Sequence, residues 1–155
     1  MASRCFASST HKTGHLTLNV RSAQFDHFGD ATRWLPATQA KVEYELSLQY
    51  SSSTHYGLNS ACVSDIERVD AYAEGVDDWL AARCSGDLIR IVFGCDSVVE
   101  LSAQLFCDSW RDMLCPARVD AIIFSQDGEW LLFYCHEDEF EFGRRRDPPK
   151  PVNAE

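Results

Sequence analysis

Apolar and polar residues alternate most clearly along Lys41–Tyr50, KVEYELSLQY. Apolar side chains take every second position, at Val42, Tyr44, Leu46, Leu48 and Tyr50. Because successive side chains of a strand point to opposite faces of a sheet, this pattern predicts a strand with one face in the core and the other in water. His15–Val20, HLTLNV, alternates in the same way and predicts an earlier strand.

The pattern changes to a helical period after residue 63. Ser64 and Glu67 form an S-x-x-E capping box, which is typical of a helix start. Apolar residues then recur at intervals of three and four, at Ile66, Val69, Tyr72, Ala73, Val76, Trp79 and Leu80. We therefore predict a helix that begins at Ser64 and ends before residues 84–87, CSGD.

A second helix is predicted from residue 97 onward. Ser97 and Glu100 form another capping box. The apolar residues that follow form one broad face, with Val98, Leu101, Leu105, Trp110, Met113 and Leu114. The helix should end at Cys115, because a residue that precedes proline disfavours helical backbone angles.

Short apolar runs predict the remaining strands. Leu88–Phe93, LIRIVF, is apolar enough for a strand that is buried on most of both faces. Residues 119–125 and 130–136 flank Asp127-Gly128, a dipeptide that favours a type I′ turn, and therefore predict a hairpin.

The predicted element order is β-β-α-β-α-β-β, with Phe140–Arg144 as a further short strand. This order predicts an α+β fold in which a largely antiparallel sheet packs against two main amphipathic helices. The length of 155 residues fits one domain, which we place at residues 1–144 with a frayed polar leader at 1–14. Three prolines after residue 147 predict a flexible tail at 145–155.

The acidic residues are concentrated in one part of the chain. The net charge is −10, and residues 65–143 hold eighteen acidic and five basic residues. A field of this sign repels nucleic acids and anionic membranes, and it attracts basic surfaces. The charge therefore argues against nucleic acid and membrane as partners and favours a basic protein.

The chain contains seven cysteines, Cys5, Cys62, Cys84, Cys95, Cys107, Cys115 and Cys135. Their number is odd, no two form a C-x-x-C pair, and the first residues lack the apolar core of a secretory signal. We therefore predict reduced thiols in a cytoplasmic protein. Close pairs of ligands, which a structural zinc site normally shows, are missing from the sequence.

Titratable residues cluster at His136–Glu139, HEDE. Imidazole and carboxylate groups bind divalent metals, but only alternate residues of a strand share a face, so this run offers about two convergent ligands. The prediction is therefore no metal and no cofactor. Instead we expect a strand anchored in the core by Tyr134, Phe140 and Phe142. Its acids should project into solvent: Glu137, Asp138, Glu139 and Glu141.

Cys95 is the candidate nucleophile of the chain. It precedes the helix predicted from Ser97, and a helix N-terminus lowers the pKa of a thiol. His136 or His27 would then act as the base, with Asp96 adjacent.

Five acids are expected on one stripe of the first predicted helix, Glu67, Asp70, Glu74, Asp77 and Asp78. They lie three and four residues apart, where like charges repel by a few tenths of a kcal/mol, roughly. General solubility explains such a face, but a helix that needs only solubility usually mixes both signs. The stripe therefore favours a docking surface for a basic partner.

These patterns favour a binding module over an enzyme. We expect a stoichiometric inhibitor of a basic protein, such as an immunity protein (antitoxin) that neutralises a basic bacterial toxin, for example a nuclease. The expected partner-binding residues are Glu67, Asp70, Glu74, Asp77, Asp78, Glu137, Asp138, Glu139 and Glu141. The alternatives are a small hydrolase or transferase that uses Cys95 or the His136 cluster, and a structural subunit of an oligomer.

Overall fold

The computed structural model of the protein describes residues 24–116 and 119–146. The strand predicted at His15–Val20, the leader at 1–14 and the tail from residue 147 lie outside the described residues. No helix in the described part is long and apolar enough to cross a membrane.

The seven strands of the described chain form one antiparallel sheet. After a short 3₁₀ helix at Asp26–Ala31, the elements in chain order are β1 (Thr32–Trp34), α1 (Ala37–Tyr50), β2 (Val63–Asp70), α2 (Val76–Arg83), β3 (Leu88–Gly94), β4 (Ser97–Ser102), α3 (Ala103–Leu114), β5 (Ala121–Ser125), β6 (Trp130–Cys135) and β7 (Glu139–Arg145). The strand order across the sheet is β1-β4-β3-β5-β6-β7-β2. The predicted α+β class is confirmed, although the order of helices and strands differs from the prediction.

Helices cover both faces of the sheet. Ile91 of β3 and Ile123 of β5 pack in one core cluster with α2 and α3. Their neighbours Val92 and Ile122 point the other way and pack in a second cluster with α1. Central strands buried on both faces explain the continuous apolar runs in the sequence.

The strand predicted at Lys41–Tyr50 is wrong, because α1 spans this segment. Its buried side chains follow a helical period, at Ala40, Tyr44, Ser47 and Tyr50. Val42, which the alternation would bury with Tyr44, is 62% exposed. Tyr44 belongs to both patterns, and packing of the helix against the sheet decides between them.

The helix predicted from Ser64 is wrong over its first turns, because β2 spans this segment at an edge of the sheet. The pairing of β2 with β7 contains a bulge between Ser64 and Glu67, and Asp65 there has φ 54°. A bulge adds a residue and breaks the two-residue period of a strand. Val63 and Ile66 flank the bulge, and although they are three residues apart they pack against the same core cluster. Beyond the bulge the strand is regular, so Ile66 and Val69 pack against opposite clusters. Only the last part of the predicted helix is helical, as α2.

The helix start predicted at Ser97 from the second capping box is also wrong. Ser97 and Glu100 lie on β4, and α3 begins one strand later. The N-cap is Ser102, whose Oγ accepts a hydrogen bond from the backbone N–H of Leu105 at 3.1 Å. The end of the helix next to Cys115 agrees with the prediction.

The predicted hairpin of β5 and β6 is confirmed, but its turn is not type I′. The loop between the strands has four residues, Gln126–Glu129. A type I′ turn needs positive φ at both central positions, whereas only Gly128, at 72°, has one here. The side chain of Asp127 closes the loop by accepting from Ser125 Oγ at 2.5 Å and from the Glu129 N–H at 3.1 Å.

β7 confirms the further strand predicted at Phe140–Arg144 and extends it by one residue at each end. Tyr134, Phe140 and Phe142 are buried, as expected for anchors of this strand. None of the six described cysteines forms a disulfide.

Candidate functional site

The five acids expected on one helix face lie on three elements. Glu67 and Asp70 belong to β2, Glu74 lies in the following turn, and Asp77 and Asp78 lie in the first turn of α2. The predicted helical stripe is therefore wrong. Acids in the first turn also stabilise α2 through the helix dipole, which is a purely structural role.

Two of these acids hold the helices in place. Glu67 accepts from Arg83 at the end of α2, with Nε–Oε2 2.8 Å and Nη2–Oε1 3.1 Å. Asp77 Oδ1 accepts from Arg111 Nη1 at 2.7 Å and from Trp110 Nε1 at 2.9 Å, both on α3. These hydrogen bonds hold the pKa of each carboxyl below its ordinary value, with Arg83 the largest cause for Glu67 and Arg111 for Asp77.

Glu141 does not project into solvent as predicted. It is 2% exposed and lies on β7 directly opposite Arg68 of β2, whose guanidinium binds its carboxylate. The other carboxylate oxygen accepts from the backbone N–H of Leu58 at 2.6 Å. A buried carboxylate needs such partners to offset its lost hydration. Glu141 is therefore an anchor for the loop after α1.

The remaining predicted acids gather where β2 ends and β7 begins. Asp70 pairs in register with Glu139, and the N–H of Ala71 donates to the backbone oxygen of Asp138 at 2.8 Å. Glu137 and Asp138 lie in the same β6–β7 turn, but Asp138 is half-buried and its Oδ1 accepts from the Tyr134 hydroxyl at 2.5 Å, so it does not project freely into solvent as predicted. Glu74 and Asp78 are the next exposed acids after Asp70 along the chain, apart from Asp77. We call this surface the acidic end and define it as Asp70, Glu74, Asp78, Glu137, Asp138 and Glu139.

Little positive charge balances the acidic end. Arg68 Nε lies 3.7 Å from Glu139 Oε1, but the same guanidinium also binds the buried carboxylate of Glu141. Glu74, Asp78 and Glu137 are exposed and form no ion pair with any residue in the described ranges. Tyr72, between Asp70 and Glu74, is 71% exposed, which adds a large aromatic surface to the acids.

The opposite end of the sheet carries both signs. β7 ends in Arg144 and Arg145, and Arg146 follows them. Asp65 lies next to Ser64, the register partner of Arg144, and the backbone oxygen of Glu129 accepts from the Arg145 N–H at 3.1 Å. The two ends of the sheet therefore differ in electrostatic character.

Cys95 does not lie at a helix N-terminus. It is exposed in the turn between β3 and β4, and the residues after it form a strand. The physical reason for expecting an activated thiol at this position is therefore wrong.

His136 has a carboxylate partner that the sequence pattern missed. Asp120 Oδ1 lies 2.8 Å from both the backbone nitrogen and the Nδ1 atom of His136. The ring of Tyr56 meets the imidazole edge to face, with centroids 5.0 Å apart. Cys135 is adjacent, but burial raises the pKa of its thiol, which opposes a role as nucleophile.

The space beside Asp120 is small. Tyr44 and Ser47 of α1, with Asp120, Ile122 and Phe133 of the sheet, line a pocket of about 30 Å³. A cavity needs roughly 10–15 Å³ to accommodate one water, so this pocket has room for a water or two but not for an organic substrate. This pocket is therefore too small to serve as an enclosed active site.

Comparison of the chain with protein-family models, curated proteins and solved structures found no match.

Proposed function

We propose that this protein is a stoichiometric binding module for a basic protein partner in the cytoplasm. The observation that carries the proposal is the acidic end, where the exposed acids Asp70 and Glu74 lie two residues before and after the exposed Tyr72. An immunity protein that neutralises a basic toxin, such as a nuclease, has this chemistry, because its acids can occupy the place of the phosphates.

The distribution of charge supports a specific surface over general solubility. Glu67, Asp77 and Glu141 bind arginines of the same chain. The acids of the acidic end outnumber their cations, so each like charge there raises the free energy of the isolated protein. A basic partner removes this repulsion on binding, and complementary charge also speeds and orients the encounter.

Tyr72 supports the same surface by a different property. Tyrosine is enriched among residues that contribute most to binding energy, because its ring buries a large area and its hydroxyl keeps a polar contact. An exposed tyrosine framed by Asp70 and Glu74 therefore suits the centre of a charged interface.

A second candidate function rests on the Asp120–His136 contact. A histidine oriented by a carboxylate is typical of general-base catalysis in hydrolases and transferases. The pocket of about 30 Å³ beside it is too small for their substrates, so we rank this function below the binding module.

The test is affinity capture from the native host with three forms of the tagged protein. The wild type is compared with Glu74→Lys/Glu137→Lys at the acidic end and with Asp87→Lys/Glu129→Lys at the opposite end. The two variants have the same net charge. We expect the wild type and the control to retain the same basic protein in equimolar amount. The acidic-end variant should retain about ten-fold less. Equal retention by both variants, or an acidic partner, would contradict the proposal.

A further inference from the structure

We propose that Asp120, Cys135 and His136 form a binding site for a divalent metal ion of the zinc class. A carboxylate oxygen, a thiol sulfur and an imidazole nitrogen of these residues lie within 4.8 Å of one another. Zinc binds all three kinds of ligand, and three protein ligands with a water in the fourth position form a common zinc arrangement. This site lies next to Glu137 and Glu139 of the acidic end, but its ligands and its test do not depend on the proposed function.

The sheet itself brings two of the ligands together. β5 and β6 are antiparallel, and Ala121 pairs with Tyr134, so Asp120 and Cys135 occupy the next opposed positions. Cys135 packs in the core cluster that faces α1. Asp120 is two residues before Ile122 of the same cluster, and strand alternation therefore directs it to the same face.

His136 is held in place by its backbone as well as its ring. Its N–H donates to Asp120 Oδ1 at 2.8 Å, and Nδ1 lies 2.8 Å from the same oxygen. The β6–β7 turn fixes this position, since the N–H of Asp138 donates to the backbone oxygen of Cys135 at 2.9 Å. The backbone therefore holds Asp120 and His136 next to each other before an ion binds.

The size of the rearrangement follows from zinc geometry. Nitrogen and oxygen ligands lie about 2.0–2.1 Å from zinc, which places them about 3.3 Å apart in a tetrahedron. The Nδ1–Oδ1 separation of 2.8 Å is only about half an ångström shorter. The Cys135 sulfur lies within 4.8 Å of both and would approach them to about 3.5 Å. The side chain of His136 is 39% exposed and can turn to allow both adjustments. When the ion binds, Nδ1 carries no proton and the imidazole proton is on Nε2, while the Cys135 thiol releases its proton to solvent.

The surroundings favour a cation. Glu137 and Glu139 place their negative charges near the Cys135 sulfur, together with Asp120. The ring of Tyr56 contacts the imidazole edge to face, and the imidazole remains partly exposed to solvent, which can supply a water ligand.

The sequence pattern could not identify this site. It drew attention to the run from His136 to Glu139, whose members do not share one face. The decisive ligands are Asp120, sixteen residues earlier, and Cys135, which resembles an ordinary buried cysteine.

The test is metal binding by the full-length protein after treatment with a chelator. Zn²⁺ affinity is measured by competition with a chromophoric chelator, and Co²⁺ is used as a spectroscopic probe. We expect one Zn²⁺ per chain and a sulfur-to-cobalt charge-transfer absorption, since the Cys135 thiolate binds the ion directly. His136→Asn, Cys135→Ser and Asp120→Asn should each weaken Zn²⁺ binding at least about ten-fold.

Matched controls separate the site from the rest of the chain. Cys95→Ser and His55→Asn change the same residue types at exposed positions, and they should leave both signals unchanged. Circular dichroism checks the fold of each variant, and His136→Asn, at an exposed position, tests the site even where a buried substitution disturbs folding. An affinity that survives all three ligand variants would overturn the proposal, as would the absence of cobalt absorption in the wild type.

Discussion

Arg68 binds the buried carboxylate of Glu141 directly across the β2–β7 pair. The same carboxylate accepts from the Leu58 N–H, so one side chain connects two strands and the loop after α1. Only Glu141 is buried; the side chain of Arg68 is 57% exposed. Substitution of Arg68 should therefore reduce the stability of the protein by a different amount from substitution of Glu141.

Arg68→Ala is expected to destabilise the protein by about 3 kcal/mol, because it leaves a buried carboxylate without its cation. Glu141→Gln should cost only about 1 kcal/mol, since the amide oxygen can still accept from Leu58 and the exposed Arg68 stays hydrated. Urea denaturation of both variants measures the difference. Equal losses, or a larger loss for Glu141→Gln, would show that the carboxylate does not depend on Arg68.

Gly57→Ala is expected to destabilise the protein by steric overlap. A Cβ atom at this position would overlap both carboxylate oxygens of Glu141. Overpacking at a buried position typically costs about 1–3 kcal/mol. Gly94→Ala is the control, because a Cβ there meets nothing within 4 Å. Thermal denaturation should show a lower melting temperature for Gly57→Ala alone; equal melting temperatures would contradict the packing of the loop on Glu141.

The stability of the protein should fall in acid partly through Glu100. Burial alone would raise the pKa of this carboxyl, but hydrogen bonds from Arg33 and Arg90 outweigh it and lower the pKa below the ordinary 4.5. The folded protein therefore binds the proton less tightly than the unfolded chain. The stabilisation is present above pH 4.5 and is lost as the pH falls through the lowered pKa.

Glu100→Gln should therefore reduce stability near pH 7 and shrink the difference in urea midpoint between about pH 7 and pH 3. Glu74→Gln, at an exposed acid of the acidic end, serves as the matched control. If Glu100→Gln and the wild type lose stability equally on acidification, the ion pairs of Glu100 do not contribute.

Seven thiols should react in a titration under denaturing, non-reducing conditions. In the native protein the buried Cys84 and Cys135 should react slowly, whereas the exposed Cys95 should react fast. Cys95→Ser is therefore expected to remove one fast-reacting thiol and leave the slow ones. Fewer than seven thiols in the denatured protein would reveal a disulfide and contradict the prediction of reduced cysteines.

Strands of the sheet centre could be predicted from sequence because their burial has a strong local signature. Leu88–Phe93 and the hairpin segments are continuous apolar runs, and such runs have few alternatives. The segment of α1 was predicted as a strand and that of β2 as a helix, each for an identifiable reason. Tyr44 fits both a two-residue and a helical period, and the bulge at Asp65 puts Val63 and Ile66, three residues apart, on the same face of β2.

Of the acidic end, only the excess of negative charge could be predicted from the sequence. The excess of acids after residue 64 is visible in the sequence, but not which acids bind arginines of the same chain. Glu67 and Glu141 depend on Arg83 and Arg68, contacts that exist only once β2, α2 and β7 are placed. Asp120 had no local pattern at all, because its partner lies across a strand pair.

The most direct test of the central claim is the association rate constant of the purified captured partner, measured by stopped-flow fluorescence at several salt concentrations. We predict that the wild type associates faster at low salt, and that Glu74→Lys/Glu137→Lys abolishes most of this salt dependence, because exposed charges act mainly on the rate of encounter. Asp87→Lys/Glu129→Lys should keep most of the wild-type rate at every salt concentration. A rate constant that is the same for the wild type and the acidic-end variant, and insensitive to salt, would contradict the account.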